Sequence, residues 1–194
     1  MNTIILASAS PRRSNYLSFL GHDFQIQVPN IDESVKDNEM PDDLVLRLSL
    51  SKAKIISQKN PQDIVIAADT VVSIDNQILG KAKDENDAFL MLKKLQGRTH
   101  QVFTGTTIIK ADKVKSFVCK TLVTFAKLDD ETIKTYLASG EYKGKAGSYA
   151  LQGQAAMLIE KVEGSVSTVV GLPINEVRIA LKEFGITPKA KLMD

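Results

Sequence analysis

One cysteine, Cys119, stands alone among 194 residues. An intrachain disulfide is therefore excluded, and a reducing, cytoplasmic setting is expected. The two histidines, His22 and His100, are far apart and have no neighbours at metal-ligand spacing, which argues against zinc. No apolar run approaches the length of a bilayer span, and no basic segment followed by a long apolar stretch opens the chain. Neither a membrane segment nor a secretory signal is expected. GxGxxG is missing, so a nicotinamide or flavin cofactor has no basis. The Gly-rich basic stretch from Lys143 to Tyr149 lacks the spacing of a Walker loop, and no nucleophile elbow supports a Ser–His–Asp triad. Twenty-five basic against 23 acidic residues leave a net charge of only +2. Bulk electrostatic binding to nucleic acid or to a membrane surface is disfavoured, and no basic aromatic patch points to nucleic acid.

What is present is an ordinary globular composition, 43% hydrophobic and 25% charged, which suits one domain over residues 1–194 with a proper core. A short strand from Thr3 to Leu6 leads through Ala7-Ser8-Ala9-Ser10 into a helix that starts at Pro11 and has Tyr16, Leu17 and Leu20 as its apolar side. Phe24 to Val28 alternates as a half-buried strand. Ile31 to Asp43 is an acidic, mostly solvated loop, with Asp42 or Asp43 as the cap of a helix running to Gln58. Ile64 to Val72 is the most apolar run and predicts a central strand covered on both faces. Asp75-Asn76-Gln77 reads as a hairpin turn that returns the chain to Gly80-Lys81 near Asp69.

Asp84, with Asp87 three residues on, opens a helix that Gly97 stops. Strands follow over Gln101 to Ile109 and Val114 to Phe125. In the latter, two-residue alternation puts Cys119 on a core face with Phe117 and Phe125, not in a nucleophile's setting. Asp129 or Asp130 starts a helix that ends near Ser139-Gly140. A strand is expected from Ala155 to Lys161, and a last helix from Gly171-Leu172-Pro173 to Phe184 with Gly185 as its cap. The tail, Ile186 to Asp194, reads as loosely held. Strands and helices in mixed order give an α/β fold class with a mixed sheet.

The stretch from Leu6 to Arg13 is the densest in chemistry. Ser8 and Ser10 are small and polar, Pro11 suits the first helical position, and a helix start offers N–H groups and partial positive charge to an anion. Arg12 and Arg13 add planar donors matched to phosphate oxygens. A plain capped helix with two solvated arginines would explain the same residues. Lys52 follows Leu44 and Leu48 at four-residue spacing, which places it on or beside an inward face, either reaching to the edge or meeting an anion. Asp69 interrupts the most apolar run, where an ionised carboxylate is costly unless paired, hydrogen-bonded or bound to a cation. It is either an acceptor for backbone N–H groups or a functional carboxylate at a strand end. With Glu33 and Lys81, these residues form the kind of set that metal-assisted phosphoanhydride chemistry needs: cations for phosphates and carboxylates for a divalent ion. Mg²⁺ suits it, because that ion takes few protein carboxylates.

Seven ordered stretches carry a resemblance: Leu6-Ala7-Ser8-Ala9-Ser10-Pro11-Arg12-Arg13, Ala68-Asp69-Thr70-Val71-Val72, Leu79-Gly80-Lys81, Gly97-Arg98-Thr99-His100-Gln101-Val102, Ser139-Gly140-Glu141, Lys145-Ala146-Gly147-Ser148-Tyr149 and Gly171-Leu172-Pro173. Over essentially its whole length the chain resembles the Maf family of nucleoside triphosphate pyrophosphatases. The resemblance implies a two-lobed α/β fold with a central cleft, similar to the inosine triphosphate pyrophosphatases, and hydrolysis of a nucleoside triphosphate to monophosphate and pyrophosphate with Mg²⁺ or Mn²⁺. It implies Asp69 as the catalytic carboxylate, Glu33 as a second metal-site carboxylate, and Ser8, Ser10, Arg12, Arg13, Lys52 and Lys81 as substrate-binding residues. Arg12, Thr70 and Gln152 are implied as specificity determinants. Gln152, within Tyr149-Ala150-Leu151-Gln152-Gly153, resembles the branch acting on dTTP and UTP, modified pyrimidine nucleotides included; a branch acting on 7-methyl-GTP resembles Glu there. An amide both donates and accepts, which matches the uracil or thymine edge. A homodimer is compatible with the resemblance. Glu141-Tyr142-Lys143-Gly144 departs from the family, which often has Pro after the Glu and Asp before the Lys. A non-enzymatic nucleotide-binding regulator of cell division is the rival from another class.

Overall fold

The computed structural model describes residues 3–190. Seven strands form one mixed sheet in the order β2-β1-β3-β5-β6-β7, with β4 paired to β3. The chain divides into two compact units: one of residues 1–69, 104–119 and 171–194, the other of 70–103 and 120–170.

In the first unit, β1 (Ile4–Leu6) pairs in parallel with β2 (Phe24–Ile26) and with β3 (Ile64–Ile74), Ile4 lying opposite both Phe24 and Ile64. Parallel central strands are covered on both faces and read as continuous apolar runs, and β1 and the start of β3 are wholly buried. One apolar cluster packs Leu6, Ile64 and Ile66 against Leu17 and Leu20 and against Val177, Leu181 and Phe184. A second packs Ile5, Val65 and Ala67 against Ala53 and Ile56. Helix α1 (Pro11–Ser18) has Pro11 in its first turn and Ser10 as its N-cap. Helix α2 (Pro41–Ser57) starts earlier than expected. Its N-cap is Met40, without a side-chain cap bond; Pro41 sets the first turn, and Asp42 and Asp43 lie in that turn as favourable charge instead of capping.

The tail differs from expectation as well. Lys189 N–H donates to the Leu20 carbonyl at 2.9 Å, His22 Nε2 bonds the Thr187 carbonyl oxygen at 2.7 Å, and Ile186 packs on the core. Gly21 allows this approach: it sits at φ +72°, and a Cβ there would lie 2.2 Å from the Lys189 carbonyl oxygen. Residues 191–194 of the expected loose tail lie outside the described residues. Strand β2 stops at Ile26, short of Val28, and its side chains are largely exposed.

The second unit holds the far part of β3 and β4 (Gln77–Leu79), joined by Asp75 and Asn76 at positive φ, the two-residue turn whose twist suits a hairpin. The ladder ends at Leu79; Lys81 instead forms a bridge with Ala146. Helix α3 (Glu85–Leu95) is capped by Asp84, which accepts from Asp87 N–H at 2.8 Å. Strand β5 (Thr99–Lys110) and strand β6 (Lys113–Phe125) are long and contribute to both units. Helix α4 (Asp130–Ala138) is capped by Asp129. The strand expected from Ala155 begins only at Ile159: Gln154–Leu158 is a 3₁₀ helix, and β7 is Ile159–Glu163, antiparallel to β6. The early part of that segment has no β-branched residue, and a carboxylate, Glu141, holds its first N–H groups. Helix α5 (Val166–Val170), not expected from sequence, ends the second unit; α6 (Ile174–Lys182), in the first, is stopped as expected at Gly185, whose φ of +76° lets its own N–H donate to the Lys182 carbonyl and the Ile186 N–H to the Leu181 carbonyl, each at 3.0 Å. The core of the second unit gathers Val72, Leu92, Leu95, Phe125, Tyr136 and Leu158.

Cys119 is half-buried in β6, and burial followed by the nearby Glu176 pushes its thiol up to about 11. A thiol held that high stays protonated near neutrality, not a nucleophile's setting, though the residue sits at the margin of the core and not inside it as expected. No helix among the described residues is long and apolar enough to cross a membrane.

Candidate active site

Asp69 lies within β3, not at its end, and is 8% exposed. The cost of burying its charge is offset by Lys52, whose Nζ donates to Asp69 Oδ1 at 2.6 Å. The four-residue stripe that put Lys52 on the inward face of α2 is what brings it there. The same Nζ lies 2.7 Å from Glu33 Oε1, so one buried ammonium gathers two carboxylates. Glu33 remains 45% exposed on its side-chain surface, and it is the solvent-facing member of the three. Its loop is not merely solvated. Arg47, also on α2, donates from Nε to Glu39 Oε1 at 2.5 Å and from Nη2 to Glu39 Oε2 at 2.7 Å and the Ser34 carbonyl at 2.9 Å. That bidentate pair holds the Glu39 carboxyl down at about 2.

Arg13 stands in the electrostatic reach of both carboxylates. Its Nε donates to the Gly171 carbonyl at 2.8 Å, and its Nη1 to Ser8 Oγ at 3.3 Å. Burial pulls this guanidinium below its ordinary value; Asp69 opposes the shift, and the neighbouring Arg12 adds to it. An Arg so placed remains charged, with its plane fixed by two acceptors. Ser8 Oγ also accepts from Ser10 N–H at 3.1 Å, which fixes the turn into α1. The structure thus brings together Ser8, Arg13, Glu33, Lys52 and Asp69, with Ser10 as the helix cap and Arg12 beside Arg13. The sequence left Lys52 either reaching the edge or meeting an anion, with phosphate binding implied by the resemblance; in the structure the anions it meets are the two carboxylates. Sequence reasoning gave no role to Gly171, whose carbonyl orients Arg13. The positive φ of +105° at Gly171 was the readable signal only insofar as a Gly before Leu-Pro suggests a special backbone.

Thr70, next to Asp69 in β3, together with Lys81 and Gln152, belongs to the second unit. Lys81 is exposed beside the bridge to Ala146. Gln152 is exposed on a turn closed by Gly153 N–H on the Ala150 carbonyl at 3.0 Å. Just before that turn, Tyr149 is buried, and its hydroxyl meets His100 Nε2 at 2.8 Å, with Phe125 edge-on to both rings. Desolvation lowers the His100 imidazole to about 4 and raises the Tyr149 hydroxyl, so both are neutral near pH 7.

Among the described residues no group of three or more His, Cys, Asp or Glu side chains could hold a metal ion. Asp69 and Glu33 are the two carboxylates gathered by Lys52. A donor set of one or two carboxylates, completed by water and phosphate oxygens, is the mode Mg²⁺ prefers.

The family model described as Maf-like protein matches residues 3–184. A Bacillus pumilus protein named dTTP/UTP pyrophosphatase is 43% identical over 188 residues, covering 97% of this chain and all of that relative. A Bacillus cereus protein of the same name is 42% identical over 186 residues, covering 96% of this chain and 97% of the relative. Among solved structures, a HAM1 protein from Coxiella burnetii matches with TM-score 0.54 over 94% of this chain and all of that one, at 15% identity, a likeness of fold alone.

Proposed function

We propose that this chain, which belongs to the Maf-like protein family, hydrolyses dTTP and UTP to the monophosphate and pyrophosphate. The observation that carries the reading is 43% identity, over 97% of this chain, to a relative named for that activity. The ion-paired carboxylates beside a fixed arginine supply the chemistry it needs. Water attacks the α-phosphorus; the new bond is from water oxygen to phosphorus, and the bond to the bridging oxygen breaks. Pyrophosphate leaves with that oxygen. Asp69 accepts the proton from the attacking water, and Lys52 holds the Asp69 and Glu33 carboxylates close to each other. Arg13, pinned by Gly171 and Ser8, offers a preorganised positive charge to the phosphates, with Ser10 and the start of α1 beside it.

Asp69 and Glu33 would hold a divalent cation, Mg²⁺ or Mn²⁺, which when bound neutralises phosphate charge and makes water a better nucleophile. On the sequence match, Arg12, Thr70 and Gln152 select the base, and Lys81 binds phosphate. The Gln152 amide suits the mixed donor and acceptor edge of uracil or thymine.

A panel of nucleoside triphosphates, read as pyrophosphate release with Mg²⁺ and with Mn²⁺, tests the proposal. UTP and dTTP should be turned over fastest. Preference for 7-methyl-GTP would move the chain to the other branch, and binding without hydrolysis under every metal would favour a regulator.

A further inference from the structure

Gln152 is exposed, yet the chain on either side of it is held: the buried Tyr149 anchors its N-terminal side and the half-buried carboxylate of Glu141 its C-terminal side. Glu141 follows α4, its own N–H donating to Ser139 Oγ at 3.1 Å. Its Oε2 accepts from Gln154 N–H at 2.7 Å and its Oε1 from Ala155 N–H at 3.2 Å. The Tyr136 hydroxyl lies 3.4 Å from Glu141 Oε1 and donates to the Ser148 carbonyl at 3.2 Å, touching both ends of the turn. Tyr149, on the N-terminal side, is tied to His100. Charge-assisted bonds to backbone N–H groups are about twice as strong as neutral ones. The fit leaves no slack: a Cβ at Gly153 would stand 1.9 Å from Glu141 Oε2.

We infer that Glu141 is a positioning residue for the turn that presents Gln152, and that through this turn it sets how strongly the protein discriminates between nucleobases. The inference rests on the dTTP/UTP reading above. The cost of misplacing a recognition group by about 1 Å is large, whereas Asp69, Lys52 and Glu33 form none of these contacts. Gly153 has φ −115° and ψ −151°, a conformation open to alanine, so Gly153→Ala acts by displacing the carboxylate and not by straining the backbone.

The test measures kcat and KM for UTP and GTP in Glu141→Ala, Glu141→Gln, Gly153→Ala and the double variant Glu141→Ala/Gly153→Ala, with melting temperatures for each. Glu141→Ala should raise KM for UTP about tenfold with kcat changed less than about threefold, and lower the UTP/GTP ratio of kcat/KM about tenfold. Glu141→Gln, which keeps one acceptor oxygen, should recover part of that loss. Gly153→Ala should reproduce it, and the double variant should be no worse than either single one. Unchanged KM and base ratio in folded Glu141→Ala would overturn the inference, as would a fall in kcat with the base ratio intact. If Glu141→Ala does not fold, Glu141→Gln and Gly153→Ala carry the same two readings. A wild-type protein that prefers another nucleotide overturns the substrate reading alone, and the base ratio is then read on that nucleotide. Wild-type inertness toward every nucleotide overturns both.

Discussion

In the first unit buried charge is answered by charge: Lys52 lies between the buried Asp69 and the solvent-facing Glu33, with Arg13 in reach. In the second unit the buried pair His100 and Tyr149 is kept neutral, and Glu141 is held by backbone N–H groups, not by a cation. A charge cluster in a low-dielectric setting is strong only while complete, since removing one member leaves its partner buried and unpaired. A neutral hydrogen-bonded anchor rigidifies without that exposure to failure, but it resists taking up a proton. The first arrangement suits chemistry on a polyphosphate; the second suits holding a recognition turn still.

The comparison is broken most severely at Asp69. Asp69→Asn removes the carboxylate proposed as proton acceptor, and turnover should fall on the order of 10³-fold in a steady-state pyrophosphate assay, with the fold retained by circular dichroism. Lys52→Ala should destabilise the protein by about 3 kcal/mol in urea unfolding, because Asp69 is left buried without its cation. Lys52→Ala/Asp69→Asn should recover part of that stability.

The second unit is probed by pH. His100 has its folded-state value lowered from 6.5 to about 4. Above pH 6.5 neither state binds the proton. Between 6.5 and 4 the unfolded chain takes up a proton that buried His100 refuses, so stability falls by about 3 kcal/mol across that window. In His100→Gln that part of the pH dependence should vanish. Gln152→Glu should sharpen the comparison from the recognition side, lowering kcat/KM for UTP about tenfold relative to 7-methyl-GTP while the melting temperature stays put. The smallest effect belongs to Glu39, held at about 2 by Arg47. Its contribution is present above pH 4.5 and lost as pH falls toward 2, a window that starts where the His100 window ends. Glu39→Gln should flatten the acid limb only there.

Much of the first unit was legible because charge inside an apolar pattern is conspicuous. Asp69 within the run Ile64 to Val72, and Lys52 on the stripe of Leu44 and Leu48, each violated local patterning, and the structure joins them. The central strand, the helix starts at Pro11, Asp84 and Asp129, and the Asp75-Asn76 turn followed from local rules. What failed was set by distant partners. Met40 and Pro41 start α2 before its acidic residues can cap it. The segment from Ala155 turns helical because Glu141, remote in sequence, accepts its N–H groups. The tail is held at Lys189 by a carbonyl of Leu20, through a gap that only Gly21 leaves. No periodicity within a single element encodes such contacts. For Lys52 both the inward position and an anionic partner were readable, but not that two carboxylates would share it.

Hydrolysis of UTP in ¹⁸O-labelled water, with mass spectrometry of both products, tests the central claim most directly. Attack at the α-phosphorus predicts one label in the monophosphate and none in pyrophosphate. Label in the pyrophosphate, or release of orthophosphate in its place, would contradict it.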